Sequence, residues 1–136
     1  MSDINWILSR GCCDLSSIQR IEEKYNIQFP KEYVDTVLEF NGGRPNRKLF
    51  DIKNRVECVF EALLNWDESR KQNMFDWMKI IESNTIIAFG QDPFGNAICF
   101  DFSGEKENPE VVFWNHELNN FEFIANNYSN FINELY

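Results

Sequence analysis

The sequence predicts an α+β fold: a single domain with a largely antiparallel sheet of about five or six strands, flanked by about four helices. Two helical patterns come first, short β-prone segments and a third helical pattern follow, and closely spaced strand patterns precede a last helix. The length of 136 residues suits one domain, and 13 Phe supply material for one core. No internal repeat or long linker divides the chain.

The first helix is predicted over SSIQRIEEKYN, after an N-terminal lead (residues 1–15) that could be an added strand, a helix or a flexible segment. Ser16 and Gln19 fit a capping box, in which each side chain satisfies a backbone donor at the helix start. Ile18, Ile21 and Tyr25 recur at helical spacing and predict its buried side.

The second helix is predicted over FPKEYVDTVLEFNGG. Pro30 suits the first turn, which needs no backbone donor there, and Asn41, Gly42 and Gly43 end the helix because Gly accepts the left-handed conformation. Apolar residues that include Tyr33 share one side. The opposite side carries three carboxylates, Glu32, Asp35 and Glu39.

The remaining elements follow from length and periodicity. KLFDI and RVECVFE predict short strands, and ESRKQNMFDWMKIIES predicts a third helix whose Met and Trp stripe faces the core. TIIAF, AICFDF, VVFWN and FEFIA predict strands, with AICFDF and VVFWN central because nearly every position is apolar. NYSNFINELY predicts the closing helix.

The stretch GQDPFGN predicts a tight turn between two strands. Asp92, Pro93 and Gly95 stand where turns favour these residue types, and a left-handed Gly95 would give a hairpin with a bulge. A hairpin tip is also exposed, so a binding role for Asp92 and Asn96 stays open.

The charge is negative and unevenly distributed. The net charge is −9, and residues 82–136 hold nine acidic side chains but one basic side chain, Lys106. This balance argues against nucleic acid and anionic membranes as partners, because both repel an acidic surface. It fits either a solubilising surface or a surface that meets a basic partner.

No pattern predicts catalysis, a cofactor or a metal site. The four Cys form no CxxC pair, and His116 is the single His, which does not suit a zinc site. His116 beside Glu117 could do acid–base work, although a local hydrogen bond in a turn is the commoner role of such a His. The start of the chain lacks an export signal, so we expect a cytoplasmic protein with reduced thiols.

Several motifs, in order and at suitable spacing, resemble those of the SUKH superfamily. These bacterial proteins serve largely as immunity proteins in toxin systems, and a fungal cell-wall-synthesis regulator shares their fold. The resemblance runs from about Ser16 to the C-terminus, with no alignable motif between Ile52 and Glu82. Phe94 departs from it, since small residues are common at that turn position. The matching positions are Phe29, Pro30, Tyr33, Asn41, Gly42, Gly43, Asp92, Gly95, Asn96, Asp101, Trp114, His116, Glu117, Tyr128 and Phe131.

The resemblance implies a protein-binding domain without catalysis. Such an immunity protein blocks its cognate bacterial toxin by occupying the toxin's active site or a nearby surface. Many such toxins are nucleases, which are basic because they hold phosphates, and an acidic surface steers a basic partner. A non-catalytic regulatory scaffold of the cell-wall-regulator type and a small hydrolase using His116 with Glu117 are the alternatives. The chain predicts neither the particular toxin nor the oligomeric state.

Partner contacts are expected among exposed acids and aromatics at the sheet edge and loops. The expected contacts are Asp92, Asn96, Glu105, Glu107, Trp114 and Glu117, with Glu32, Asp35 and Glu39 as a second acidic surface. The expected structural residues are Pro30, Tyr33, Asn41, Gly42, Gly43, Gly95, Asp101 and His116.

Overall fold

The structure is a computed structural model that describes residues 4–9, 11, 13–104 and 106–136. The helices are α1 (Leu15–Tyr25), α2 (Lys31–Phe40), α3 (Met74–Ile80) and α4 (Tyr128–Glu134). The short strands are β1 (Trp6–Ile7), β2 (Arg44–Pro45), β3 (Leu49–Ile52), β4 (Arg55–Val59) and β5 (Ala62–Leu63). The longer strands are β6 (Ile86–Gln91), β7 (Ala97–Asp101), β8 (Glu110–Asn115) and β9 (Asn120–Ala125).

The main sheet has the order β5-β6-β7-β8-β9, and each neighbouring pair is antiparallel. β3 and β4 form a separate hairpin. This arrangement confirms the predicted α+β fold. The N-terminal lead contributes a strand, since β1 pairs with β2.

Asp14 is the N-cap of α1, and its side chain accepts a hydrogen bond from the backbone N–H of Ser16 at 3.1 Å. The predicted capping box of Ser16 and Gln19 is therefore wrong, because Ser16 already lies inside the helix. α2 begins at Lys31, so Pro30 is its N-cap and lies one residue before the first turn in which it was predicted. The chain leaves α2 through Gly42, whose φ is +71°.

α3 is shorter than its predicted segment, because polar side chains hold the preceding residues in turns. Asp67 accepts hydrogen bonds from the N–H and the hydroxyl of Ser69. Asn73 then caps the helix by accepting from the N–H of Asp76 at 2.8 Å. Such side-chain bonds to the backbone compete with helical hydrogen bonds.

One face of the sheet, the inner face, packs on α2, α4 and β3. Phe100 of β7 lies 5.1 Å from Tyr33 of α2, and Phe113 of β8 lies 6.2 Å from Phe50 of β3, both measured between ring centroids. Tyr128 of α4 lies 5.9 Å from Phe100. These rings are buried and form the centre of the core.

The opposite face, the outer face, is covered only in part. α3 contacts β6, and its Trp77 meets Trp114 of β8 edge to face at 6.0 Å between ring centroids. On the edge strand β9, however, Phe121 and Phe123 are 42% and 52% exposed. No helix in the described part of the chain is long and apolar enough to cross a membrane.

Candidate functional site

Asp92 organises the turn between β6 and β7. Its Oδ1 accepts hydrogen bonds from the N–H groups of Phe94 at 2.9 Å and Asn96 at 2.8 Å, and its Oδ2 accepts from Asn96 Nδ2 at 2.8 Å. Gly95 is left-handed, with φ +89°, as the turn requires. The tight-turn prediction is confirmed. The expectation that Asp92 is exposed is wrong: it is 7% exposed, because its carboxylate points into the turn.

Asn96 joins this turn to the next one, between β8 and β9. Its Oδ1 accepts a hydrogen bond from the backbone N–H of His116 at 3.0 Å and lies 2.7 Å from His116 Nδ1. An amide oxygen only accepts, so Nδ1 carries the proton. A Cβ on Gly95 would lie 3.4 Å from the His116 ring, an ordinary contact distance, so the left-handed backbone and not the ring is what favours glycine there. Asn96 and His116 thus hold the two turns together.

Trp114 and Glu117 have different surroundings. Trp114 was expected to be exposed, but it is 8% exposed, because it packs on Trp77 and donates from Nε1 to Asn119 Oδ1 at 3.0 Å. Glu117 is exposed in the β8–β9 turn, and within the described residues its carboxylate has no ion pair. His116 Nδ1 contacts Asn96, and within the described residues no ion pair joins His116 to Glu117.

A second group of carboxylates lies at the opposite end of the sheet. Asp101 and Glu110 are directly opposite each other in the β7–β8 pairing. Asp101 accepts a hydrogen bond from the Ser103 N–H at 2.9 Å. Glu107 is exposed in the loop that follows β7, and Glu105 lies outside the described residues. The expected contacts are therefore divided between the two ends of the strands.

The negative charge of Asp101 affects the buried thiol of Cys99, two residues earlier on β7. Burial raises the pKa of the Cys99 thiol far above its ordinary value, and the negative charge of Asp101 raises it further. Cys99 is fully buried, and it shares the outer face with Asp101 because residues two apart on β7 point to the same side of the sheet. The thiol therefore stays neutral and acts as a small apolar core residue.

The second acidic surface lies on α2. Glu32, Asp35 and Glu39 are all exposed there. Lys31 Nζ lies 2.8 Å from Asp35 Oδ2, and the Ser129 hydroxyl donates to Glu32. Two of the three carboxylates thus have partners within the molecule.

The family motif on α2 forms a buried polar centre. Tyr33 OH accepts from Trp66 Nε1 at 3.0 Å and donates to Met74 Sδ at 3.8 Å. Asn41 accepts from the Trp66 N–H and donates to Asn65 Oδ1, both at 2.9 Å. Burial raises the pKa of Tyr33, although the Trp66 hydrogen bond opposes it, so the phenol stays protonated. These residues fix the loop after β5 against α2.

Sequence reasoning missed Asn65 and Trp66, which lie in the segment without alignable motifs. It also missed the two exposed rings of β9. The pattern Phe121-Glu122-Phe123 places both rings on one face of a strand, but it does not show that this face is left uncovered.

The residues described in the structure include no group of three or more His, Cys, Asp or Glu side chains placed to hold a metal ion. The fold and the site together define a small α+β domain with a buried polar centre, two linked turns and exposed carboxylates at both ends of its sheet.

The chain matches the family model SUKH_6, described as SMI1-KNR4 cell-wall, over residues 15–132. Because the match covers most of its 136 residues, the chain belongs to this SUKH family, and the resemblance found in its motifs is confirmed. No curated protein matches the chain.

Proposed function

We propose that this protein is a cytoplasmic immunity protein, which binds a cognate bacterial toxin, a basic nuclease domain, and neutralises it by contact, without catalysis. Membership of the SUKH family supports this function. The observation that carries it is the state of the carboxylates in residues 82–136. Most of them are exposed, and among the described residues Glu122 alone forms an ion pair, with Arg55 at 3.3 Å.

Exposed carboxylates without internal partners are available to a basic protein. They raise the association rate by steering a positively charged partner, and this steering weakens as salt screens the charges. A nuclease presents such a partner surface, because it must hold phosphates. Binding at that surface would block access of the nucleic acid.

Co-expression tests the proposal. The neighbouring genes are first sequenced to find a toxin, and the probe is the C-terminal domain of that toxin, produced with and without this protein in the same cells. We expect rescue of growth and a complex that co-purifies at low salt, whereas a toxin domain from an unrelated system serves as the control and is not neutralised. If this protein neither rescues growth nor forms a complex with the toxin domain, the proposed function is refuted.

A regulatory scaffold is the second candidate, because the description of the matched family model refers to the cell wall. The two functions differ in genomic setting. An adjacent gene for a large toxin with a basic C-terminal domain favours the immunity protein, and its absence favours the scaffold.

A further inference from the structure

We infer that the toxin docks on the outer face of the sheet, at a surface that we call the outer strip. The outer strip consists of Phe121 and Phe123, with Asp101 and Glu110 at one end and Glu117 at the other. This inference rests on the proposed function and specifies where the basic partner binds.

The centre of the outer strip is apolar. In the β8–β9 pairing, Phe121 lies opposite Trp114 and Phe123 lies opposite Val112, so all four side chains share the outer face. Trp114 and Val112 are buried, whereas Phe121 and Phe123 are 42% and 52% exposed. Adjacent exposed aromatic rings backed by a buried layer are typical of protein-binding surfaces.

No helix covers the outer face at β9. α3 lies against β6. α4 approaches β8 and β9 with Phe131, whose ring lies against Phe50 of β3 and Phe89 of β6, on the inner side of the sheet. Within the described chain, β9 forms backbone pairs with β8 alone and is an edge strand of the main sheet, and β3 lies near it on the inner face. An edge strand with exposed aromatic rings on its outer face is the kind of surface that another protein chain covers.

The charges of the outer strip select a basic partner. Asp101 and Glu110 face each other across neighbouring strands, an arrangement of like charges that destabilises a sheet. Neither has an ion pair within the described residues. Two carboxylates side by side suit the planar fork of an arginine or the ammonium of a lysine. A partner cation would remove their mutual repulsion.

The same charges argue against a second copy of this chain. Each copy carries a net charge of −9, and the single basic side chain of residues 82–136 is Lys106. Two outer strips brought together would oppose carboxylates to carboxylates. We therefore assign the outer strip to a basic protein surface with an apolar centre.

The other candidate surfaces do not combine exposed aromatic rings with neighbouring unpaired carboxylates. On α2, Asp35 is paired with Lys31 at 2.8 Å, and Glu32 accepts from Ser129. Phe94 is 69% exposed, but it lines a cavity of about 230 Å³ beside β4, together with the inner-face residue Phe113. These surfaces supply controls of matched chemistry.

The experiment measures the dissociation constant for the purified adjacent-gene toxin domain by calorimetry. Phe121→Ser with Phe123→Ser should weaken binding about 30-fold or more, since buried aromatic anchors dominate interface energies. Asp101→Asn with Glu110→Gln should weaken it about tenfold and flatten its salt dependence. The control variants should bind within about twofold of the wild type, as residues outside an interface do. Phe94→Ser is the apolar control, and the double change Glu32→Gln with Glu39→Gln tests the competing acidic surface on α2.

Thermal melts establish that each variant folds. If the Phe121→Ser, Phe123→Ser variant does not fold, amide hydrogen exchange is measured on the wild-type complex in place of that variant's affinity. We expect new protection at residues 120–125, and protection confined to α2 would overturn the inference.

The outcomes separate the inference from the proposed function. If the outer-strip variants bind the toxin domain as tightly as the wild type, or if the α2 variant loses binding, the inference is wrong and the immunity function still stands. A wild-type protein that neither binds nor neutralises the toxin removes both.

Discussion

Replacing Asp92 with Ala tests whether this residue is a structural element of the turn. The change removes one buried carboxylate that accepts three hydrogen bonds, at 2.8 to 2.9 Å, from Phe94 and Asn96. Hydrogen bonds to a charged acceptor are worth about 1.5–3 kcal/mol each, but these three are not additive because they share one side chain. We expect a loss of about 2–4 kcal/mol in the free energy of unfolding.

The milder change Asp92→Asn refines this expectation. An amide in place of Oδ2 would bring two N–H donors together at Asn96. Rotating the Asn96 amide by half a turn would relieve this clash, but it would break the hydrogen bonds between Asn96 Oδ1 and His116. We expect a loss of about 1 kcal/mol, between the wild type and Asp92→Ala.

Urea denaturation followed by circular dichroism measures both values. For a domain of this size, a loss of about 3 kcal/mol lowers the melting temperature by roughly 10 °C. The control is Glu117→Ala, an exposed carboxylate in the neighbouring turn, which should change stability by less than about 0.5 kcal/mol. Equal stability of Asp92→Ala and the wild type would refute the structural role of Asp92.

Two further predictions concern stability. Gly90→Ala should cost about 1–3 kcal/mol in a urea melt, because the added Cβ would lie 2.6 Å from the buried Phe60 ring. Gly104→Ala is its control, since nothing lies within 4 Å of the added Cβ, and equal losses in both variants would contradict the packing explanation. The hydrogen bonds from Ser16 hold the pKa of Asp14 below its ordinary value of 3.8. The cap therefore stabilises α1 fully above pH 3.8. Its contribution is lost as the pH falls through the lowered pKa of the folded state. An NMR titration should place the Asp14 midpoint below 3.8, and a midpoint at or above 3.8 would refute the cap.

The fold was largely predictable because its signals are local. Alternation and turn residues located β6 to β9, and the apolar stripe placed α2 correctly. Predictions failed where side chains compete for the backbone, as at the start of α3, where Asn73 rather than an earlier residue caps the helix. The pairing of β1 with β2 joins segments that are far apart in the sequence, so no local pattern predicts it.

The candidate site was only partly predictable, because exposure depends on tertiary contacts. The sequence shows that Asp92 belongs to a turn, but it does not show that the carboxylate points inward. Trp114 was expected at the surface, yet a ring from α3 covers it. Conversely, Phe121 and Phe123 have the pattern of an ordinary strand, and their exposure follows from the position of β9 at the sheet edge.

The salt dependence of toxin binding tests most directly whether exposed carboxylates on this scaffold hold a basic partner. The measurement is the dissociation constant of the wild-type protein for the adjacent-gene toxin domain, between about 50 mM and 500 mM salt. We expect the affinity to fall at least about tenfold over this range, because screening removes the attraction between exposed charges. A dissociation constant that stays unchanged, or that tightens as salt rises, would contradict the account.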